Sequence, residues 1–200
     1  MTELSLSDKV VAIHRALADG GIDHAFGGAI ALAYYSEPRA TVDIDLNVFV
    51  PTDRADAVQG PLGRLGIEWT VPRDVLERDG QCRLRWDRNP VDLFFSYDDV
   101  HVAMALAIRT VPFGESTIPI LSPEHLMVCK CVFDRSKDWL DIEQMMLYVD
   151  HFDAGEVRRW LDHIVGESDQ RYTRAETMLA LRAESPTSRP PIWPTAPDQP

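Results

Sequence analysis

The sequence predicts an α+β protein in which a mixed sheet flanked by helices is followed by a helical C-terminal region. Three observations carry that prediction. Short β-forming runs crowd residues 24–120, either alternating in polarity or continuously apolar. Glycine turns and a hairpin break punctuate them. From Ser122 onward the pattern turns helical, opening on Ser122-Pro123-Glu124: a capping hydroxyl, a proline at the first helical position and an acid in the first turn.

Taken in order, Ser7 to Leu17 reads as a helix closed by Gly20-Gly21, with Val10, Val11, Ile13 and Leu17 near one apolar face. His24-Ala25-Phe26 reads as a short strand and Gly27-Gly28 as a turn. Ala29 to Tyr35 follows as a helix that must end before Pro38, because proline disfavours helical geometry at Glu37. A strand around Asp43-Ile44-Asp45 follows and runs toward Val50. Asp53 to Leu65 suits a helix, Gln81 to Trp86 a strand of alternating polarity, and Val91 to Phe95 a buried strand. Asp87-Arg88-Asn89-Pro90 between the last two suits a hairpin, which would bring Asp92 onto the sheet that carries Asp43 and Asp45. Ile108 to Val111 and Ser116 to Ile120 are expected as edge strands. Two to three more helices are expected beyond the one opened at Ser122, near 139–149, 154–165 and 171–183. The expected organisation is a core over 1–121, a helical region over 122–183 packed on it, and a tail over 184–200. That tail has six prolines and Trp193 as its one strong anchor, which suits an extended or flexible arm.

Composition excludes several classes. A chain of 200 residues with 45% hydrophobic content can bury one good core, with room for a small second one. It has no apolar run long enough to span a bilayer, and Met1 to Ser5 lacks the basic-then-apolar start of an export signal, so a cytoplasmic protein with no membrane partner is expected. Cys82, Cys129 and Cys131 form neither a disulfide framework nor zinc-ligand pairs, and His125, His151 and His163 have no ligand spacing. The net charge of −12 argues against a broad nucleic-acid surface, since phosphates repel an acidic protein. A short RNA end could enter only through a local basic strip.

The chemistry concentrates in Arg39-Ala40-Thr41-Val42-Asp43-Ile44-Asp45-Leu46. On a strand, alternate side chains share a face, so Asp43 and Asp45 project together while Val42, Ile44 and Leu46 face the other way. Two ionised carboxylates so close repel each other unless a hard cation lies between them, which points to Mg²⁺ and phosphate chemistry. Upstream, Gly27-Gly28 opens a helix and lets backbone N–H groups approach a ligand, although such turns also use glycine for steric reasons alone. Lys130 sits in the otherwise apolar run 126–133. Its spacing from Asp134, and that of Lys137 from Asp141, equally suits ordinary surface ion pairs.

Gly27-Gly28-Ala29, Arg39-Ala40-Thr41, Asp43-Ile44-Asp45-Leu46, and Lys130 with Asp134-Arg135-Ser136-Lys137-Asp138-Trp139-Leu140-Asp141 together resemble the nucleotidyltransferase superfamily that shares its catalytic fold with DNA polymerase beta. Within it, the AbiEii-like branch of bacterial toxin–antitoxin systems is the most similar. The resemblance spans residues 22–149 and implies a nucleotidyltransferase core. It further implies that Asp43, Asp45 and Asp92 hold two Mg²⁺ ions, with Mn²⁺ as an alternative. Gly27, Gly28, Arg39, Thr41 and Lys130 would bind the NTP, with Lys130 counted among the catalytic residues. Asp134, Arg135, Lys137, Asp138 and Asp141 would contact the acceptor or orient Lys130 and Arg135. Many members carry Gly-Ser where this chain has Gly27-Gly28. The implied activity is transfer of an NMP to an acceptor, with an RNA end as the leading acceptor and an antitoxin protein as a partner. Alternatives are a small-molecule acceptor as in antibiotic-modifying enzymes, a protein acceptor, and a non-catalytic module that binds a nucleotide or a partner.

Overall fold

A computed structural model of the chain describes residues 3–184. The proline-rich tail and its Trp193 anchor lie outside the described residues. Two compact units divide the chain. Among the described residues, the first comprises 3–30 and 40–121, and the second comprises 31–39 and 122–184.

The first unit is built on a six-stranded mixed sheet. Its helix α1 (Leu6–Asp19) starts where the Ser5 hydroxyl accepts the Asp8 N–H and ends at Gly20, with Gly21 in the left-handed region. It buries Val10, Ile13 and Leu17. Strand β1 (His24–Phe26) leads through Gly27 into α2 (Gly28–Leu32), then β2 (Ile44–Val48). A short 3₁₀ turn over Thr52–Arg54 precedes α3 (Asp56–Arg64), and α4 (Arg73–Asp79) precedes the hairpin of β3 (Gln81–Trp86) and β4 (Asn89–Phe95). Helix α5 (Asp99–Leu106) and the hairpin of β5 (Arg109–Phe113) and β6 (Ser116–Ile120) complete the unit.

The strand order is β3-β4-β2-β1-β6-β5. β2 runs parallel to β4 and β1 parallel to β6, while the other neighbours are antiparallel. Ile44 and Leu46 on β2, and Val91, Leu93 and Phe95 on β4, are fully buried on one face. The alternation of β4 leaves Asp92 on the opposite, half-open face.

A buried lysine pins the β3–β4 turn. Lys9 Nζ, wholly buried, donates to Trp86 O at 3.1 Å and to Asn89 Oδ1 at 2.9 Å, and pairs with Asp87 at 2.8 Å. Asn89 Nδ2 in turn donates to Val42 O at 2.8 Å, tying the hairpin to the segment that enters β2.

The second unit is helical: α6 (Pro123–Phe133), α7 (Ser136–Tyr148), α8 (Ala154–Val165) and α9 (Gln170–Glu184). α6 packs against the other three and buries Leu126, Met127 and Val128. Trp139, Ile142, Met145, Val157 and Leu161 extend the same core. The Ser122 hydroxyl caps α6 by accepting the His125 N–H at 3.3 Å.

Several expectations need correction. β2 begins at Ile44, so Asp43 precedes the strand and Val42, expected on the buried face, is 60% exposed. The helix after Gly27-Gly28 stops at Leu32 and gives way to turns through Tyr35. Helix α7 starts at Ser136, earlier than the apolar pattern suggested. Helices α4 and α5 are additions. Each is only two turns long, too short for its apolar spacing to stand out, yet each has local punctuation: Gly80 at φ 66° closes α4, and the Asp98 carboxylate caps α5.

Candidate active site

Within the first unit, register brings the acidic residues onto one face. Asp45 and Asp92 are direct neighbours across the parallel β2–β4 pair, and Arg83 lies opposite Asp92 across the β3–β4 pair. Neighbouring strands share their pleat, so Asp45, Asp92 and Arg83 form a row across three strands. Asp43 lies two residues before Asp45. Its backbone N–H donates to the Thr41 hydroxyl at 3.2 Å, so Thr41 shapes the entry to the strand.

Gly27 and Gly28 lie against this face. The Gly27 N–H donates to Asp45 O at 2.9 Å, continuing the β1–β2 ladder by one residue. Gly28 has φ 50°, and a Cβ built on it would lie 2.9 Å from Asp45 Cβ and overlap the Asp45 carboxylate. Glycine is therefore required at 28 on two counts, backbone conformation and space. That explains the departure from Gly-Ser: with Asp45 so placed, there is no room for a serine side chain.

Arg83 decides the present state of the row. Its guanidinium forks onto Asp92, with Nε to Oδ1 at 2.7 Å and Nη2 to Oδ2 at 2.7 Å. The Asp92 carboxylate holds the Arg83 pKa far above its ordinary value, with smaller contributions from Asp43 and Asp45, so the cation stands in the field of all three acids. Of the expected Asp43, Asp45 and Asp92, the register pairs Asp45 with Asp92, while Asp43 precedes the strand. Among the described residues, no three acidic, histidine or cysteine side chains are gathered closely enough to hold a metal ion. The chemistry of the donor set nevertheless fits a hard divalent cation: Asp45 and Asp92 are carboxylates on neighbouring strands, Asp43 lies two residues upstream, and the absence of a side chain at Gly28 leaves the Asp45 carboxylate its room.

The second unit contains the other sequence candidates, and there they neutralise one another. Lys130, 4% exposed, donates to Asp141 Oδ2 at 2.6 Å and lies 3.6 Å from Asp138 Oδ1. Arg39 forks onto the same Asp141 at 3.2 and 3.1 Å, and Arg135 onto Asp138 at 2.6 and 3.1 Å. Burial raises the Asp141 pKa, but the hydrogen bonds from Arg39 and Lys130 outweigh it and leave the carboxyl below its usual value. The expected Lys130–Asp134 pair is replaced. Asp134 caps α6 in the left-handed conformation and accepts the Trp139 indole N–H at 2.6 Å. Asp141, expected beside Lys137, goes to Lys130 and Arg39 instead, and Lys137 is exposed.

Sequence reasoning missed Arg83. The signal was available, because counting back from the Asp87-Arg88 turn places residue 83 opposite 92. The cysteines behave as core thiols. Burial pushes Cys82 and Cys131 up to about 12, far from a reactive thiolate.

No protein-family model matches the chain, and no curated protein matches it. Solved structures do. The antibiotic-resistance factor ANT(2'')-Ia, studied in solution, aligns over 89% of this chain and 91% of its own at 13% identity and a TM-score of 0.51. The lincosamide antibiotic adenylyltransferase LnuA, bound to lincomycin, aligns over 72% of this chain and 98% of its own at 11% identity, also with a TM-score of 0.51. The chain has a nucleotidyltransferase fold. At these identities the likeness extends to the fold and no further. No helix among the described residues is long and apolar enough to cross a membrane.

Proposed function

We propose that the protein is a nucleotidyltransferase that moves an NMP from an NTP to an acceptor hydroxyl, using the Asp43, Asp45 and Asp92 face. The observation that carries this reading is the Asp45–Asp92 register on the half-open face of a sheet with this fold. A divalent ion bound by these carboxylates would neutralise triphosphate charge and acidify the acceptor hydroxyl. Asp43 and Asp45 would supply oxygen donors to such an ion. Asp92, once Arg83 releases it, is the carboxylate placed to take the hydroxyl proton. The hydroxyl oxygen forms a bond to the α-phosphorus, the bond from that phosphorus to the bridging oxygen breaks, and the electron pair leaves with pyrophosphate. Gly27 and Gly28 keep backbone, not side chains, beside the phosphates.

The toxin-like role and the antitoxin partner rest on motif resemblance alone. The basic strip expected to admit an RNA end is weakened, because Arg135 is spent on Asp138. A small-molecule acceptor is the better reading. The test is to incubate purified protein with each α-labelled NTP, Mg²⁺ or Mn²⁺ and fractionated lysate. Label should enter a product in the wild type and in no fraction with Asp45→Asn. Equal labelling by both proteins would refute the site.

A further inference from the structure

On the same side of the first unit as Asp92, a cavity of about 530 Å³ opens beside the β3–β4 hairpin. Its lining includes Glu68, Thr70, Arg83, Arg85 and Asp87. Arg83 belongs to both places: it lines the cavity and forks onto Asp92. A molecule in the cavity is therefore one guanidinium away from the carboxylate assigned to the acceptor proton. Arg83 and Arg85 alternate on β3 and are both exposed, so their guanidinium groups leave the sheet on one face.

The lining also carries two acids, Asp87 and Glu68. Asp87 is paired with the buried Lys9 at 2.8 Å, a lysine it shares with Glu3 at 3.4 Å. Glu68 meets Arg85 through an isolated antiparallel backbone bridge. If a divalent ion draws Asp92 toward Asp45, Arg83 loses its partner and turns into a second free fork. Guanidinium forks match oxyanions, carboxylate or phosphate, in a bidentate way. A cavity of this size lies in the range of small-ligand sites, roughly 300–1,000 Å³, and is too small for a folded RNA or protein surface.

We infer that this cavity is the acceptor subsite, and that Arg83 and Arg85 select a small hydroxylated molecule carrying an oxyanion. This rests on the nucleotidyltransferase reading and narrows it. An acceptor rich in amino groups would meet two guanidinium groups and be disfavoured. The hydroxyl that receives the NMP would be a few bonds away from the oxyanion, so that one end is held by arginine while the other reaches Asp92.

The experiment measures binding directly, in the presence of Mn²⁺ and a non-hydrolysable NTP, by titrating the full chain with four matched sugars: glucose 6-phosphate, gluconate, glucose and glucosamine. The first two separate phosphate from carboxylate as the preferred oxyanion. At least one of them should bind about tenfold or more tightly than glucose, with glucosamine weakest. Arg85→Ala should erase that preference, and Arg85→Lys, which keeps the charge but not the fork, should recover part of it. Mn²⁺–nucleotide binding is read on the same samples, so loss of that binding in the wild type would indict the nucleotidyltransferase reading instead. With nucleotide bound, the subsite proposal is overturned by any of three results: equal affinity for glucose and both anions, an anion preference unchanged in Arg85→Ala, or a short RNA oligonucleotide outcompeting every sugar.

Discussion

The aspartates of the sheet face and those of the helical unit are the same residue type in opposite electrostatic situations. In the second unit, Asp138 and Asp141 are matched by Lys130, Arg135 and Arg39, and each carboxylate is hydrogen-bonded by at least one cation. In the first, Asp45 and Asp92 are direct neighbours across the parallel β2–β4 pair, and the Arg83 guanidinium forks onto Asp92. A balanced and buried cluster has little left to offer a ligand, and breaking it is costly. Ionised carboxylates brought side by side on one face repel each other, and a bound cation relieves that repulsion. On the reading proposed above, the acids of the sheet face bind a ligand and those of the helical unit are structural.

The largest expected effect breaks the first half of that comparison. Asp45→Asn removes a donor and a charge, and transfer should fall by about a thousandfold or more, the order expected when several kcal/mol of charge stabilisation is lost. Its thermal midpoint should be unchanged or raised, because repulsion with Asp43 and Asp92 is relieved. A fall in midpoint with activity retained would reverse the assignment.

Asp141→Ala breaks the second half. It removes the nearer of the two carboxylates facing the buried Lys130 ammonium and leaves only Asp138 at 3.6 Å, so unfolding in denaturant should show a loss of up to about 3 kcal/mol. Pairing it with Lys130→Met should restore much of that loss, since no uncompensated charge is then left inside. If the double variant is no better than the single one, Lys130 has a role beyond its ion pairs.

These two regions were legible to different degrees, for physical reasons. The placing of Asp92 beside Asp45 was legible because strand alternation and a hairpin break are local signals, and register then follows from them. Ser122 announced α6 in the same way. The partners of Lys130 could not be found so easily, because i, i+4 spacing offers Asp134 and the observed partner is eleven residues away on α7. The capping geometry of Asp134, at φ 53°, turns that side chain to Trp139 and leaves the lysine to others. The grouping of 31–39 with the helical unit is likewise a long-range outcome, seen in the Arg39–Asp141 fork and in the Tyr148 hydroxyl donating to Glu37 at 2.8 Å.

Gly28→Ala sharpens the account of the sheet face. The added methyl must displace the Asp45 carboxylate and accept φ 50°, a conformation costing about 1 kcal/mol for a non-glycine residue. Activity should drop at least tenfold with only a modest loss of stability. Activity near the wild-type level would mean that Asp45 need not be where it stands.

The smallest effect is a pH dependence common to both units. Burial lowers the pKa of His24 in the first unit and of His125 in the second below the ordinary 6.5. The unfolded chain therefore takes up protons before the folded one, so stability is full above about pH 6.5 and declines as pH falls toward the lowered values. Denaturant midpoints measured from pH 7.5 to 5 should fall accordingly, and His24→Gln should flatten part of the slope. A midpoint that rises on acidification would contradict this.

The most direct test of the central distinction is Mn²⁺ binding, followed by the paramagnetic signal of the free ion in the presence of a non-hydrolysable NTP. The wild type should bind Mn²⁺, Asp43→Asn and Asp45→Asn should each lose that binding, and Asp138→Asn, in the balanced cluster, should retain it wherever it remains folded. Undiminished binding by Asp43→Asn and Asp45→Asn, or loss confined to the folded Asp138→Asn protein, would contradict the assignment of the sheet face as the site of chemistry.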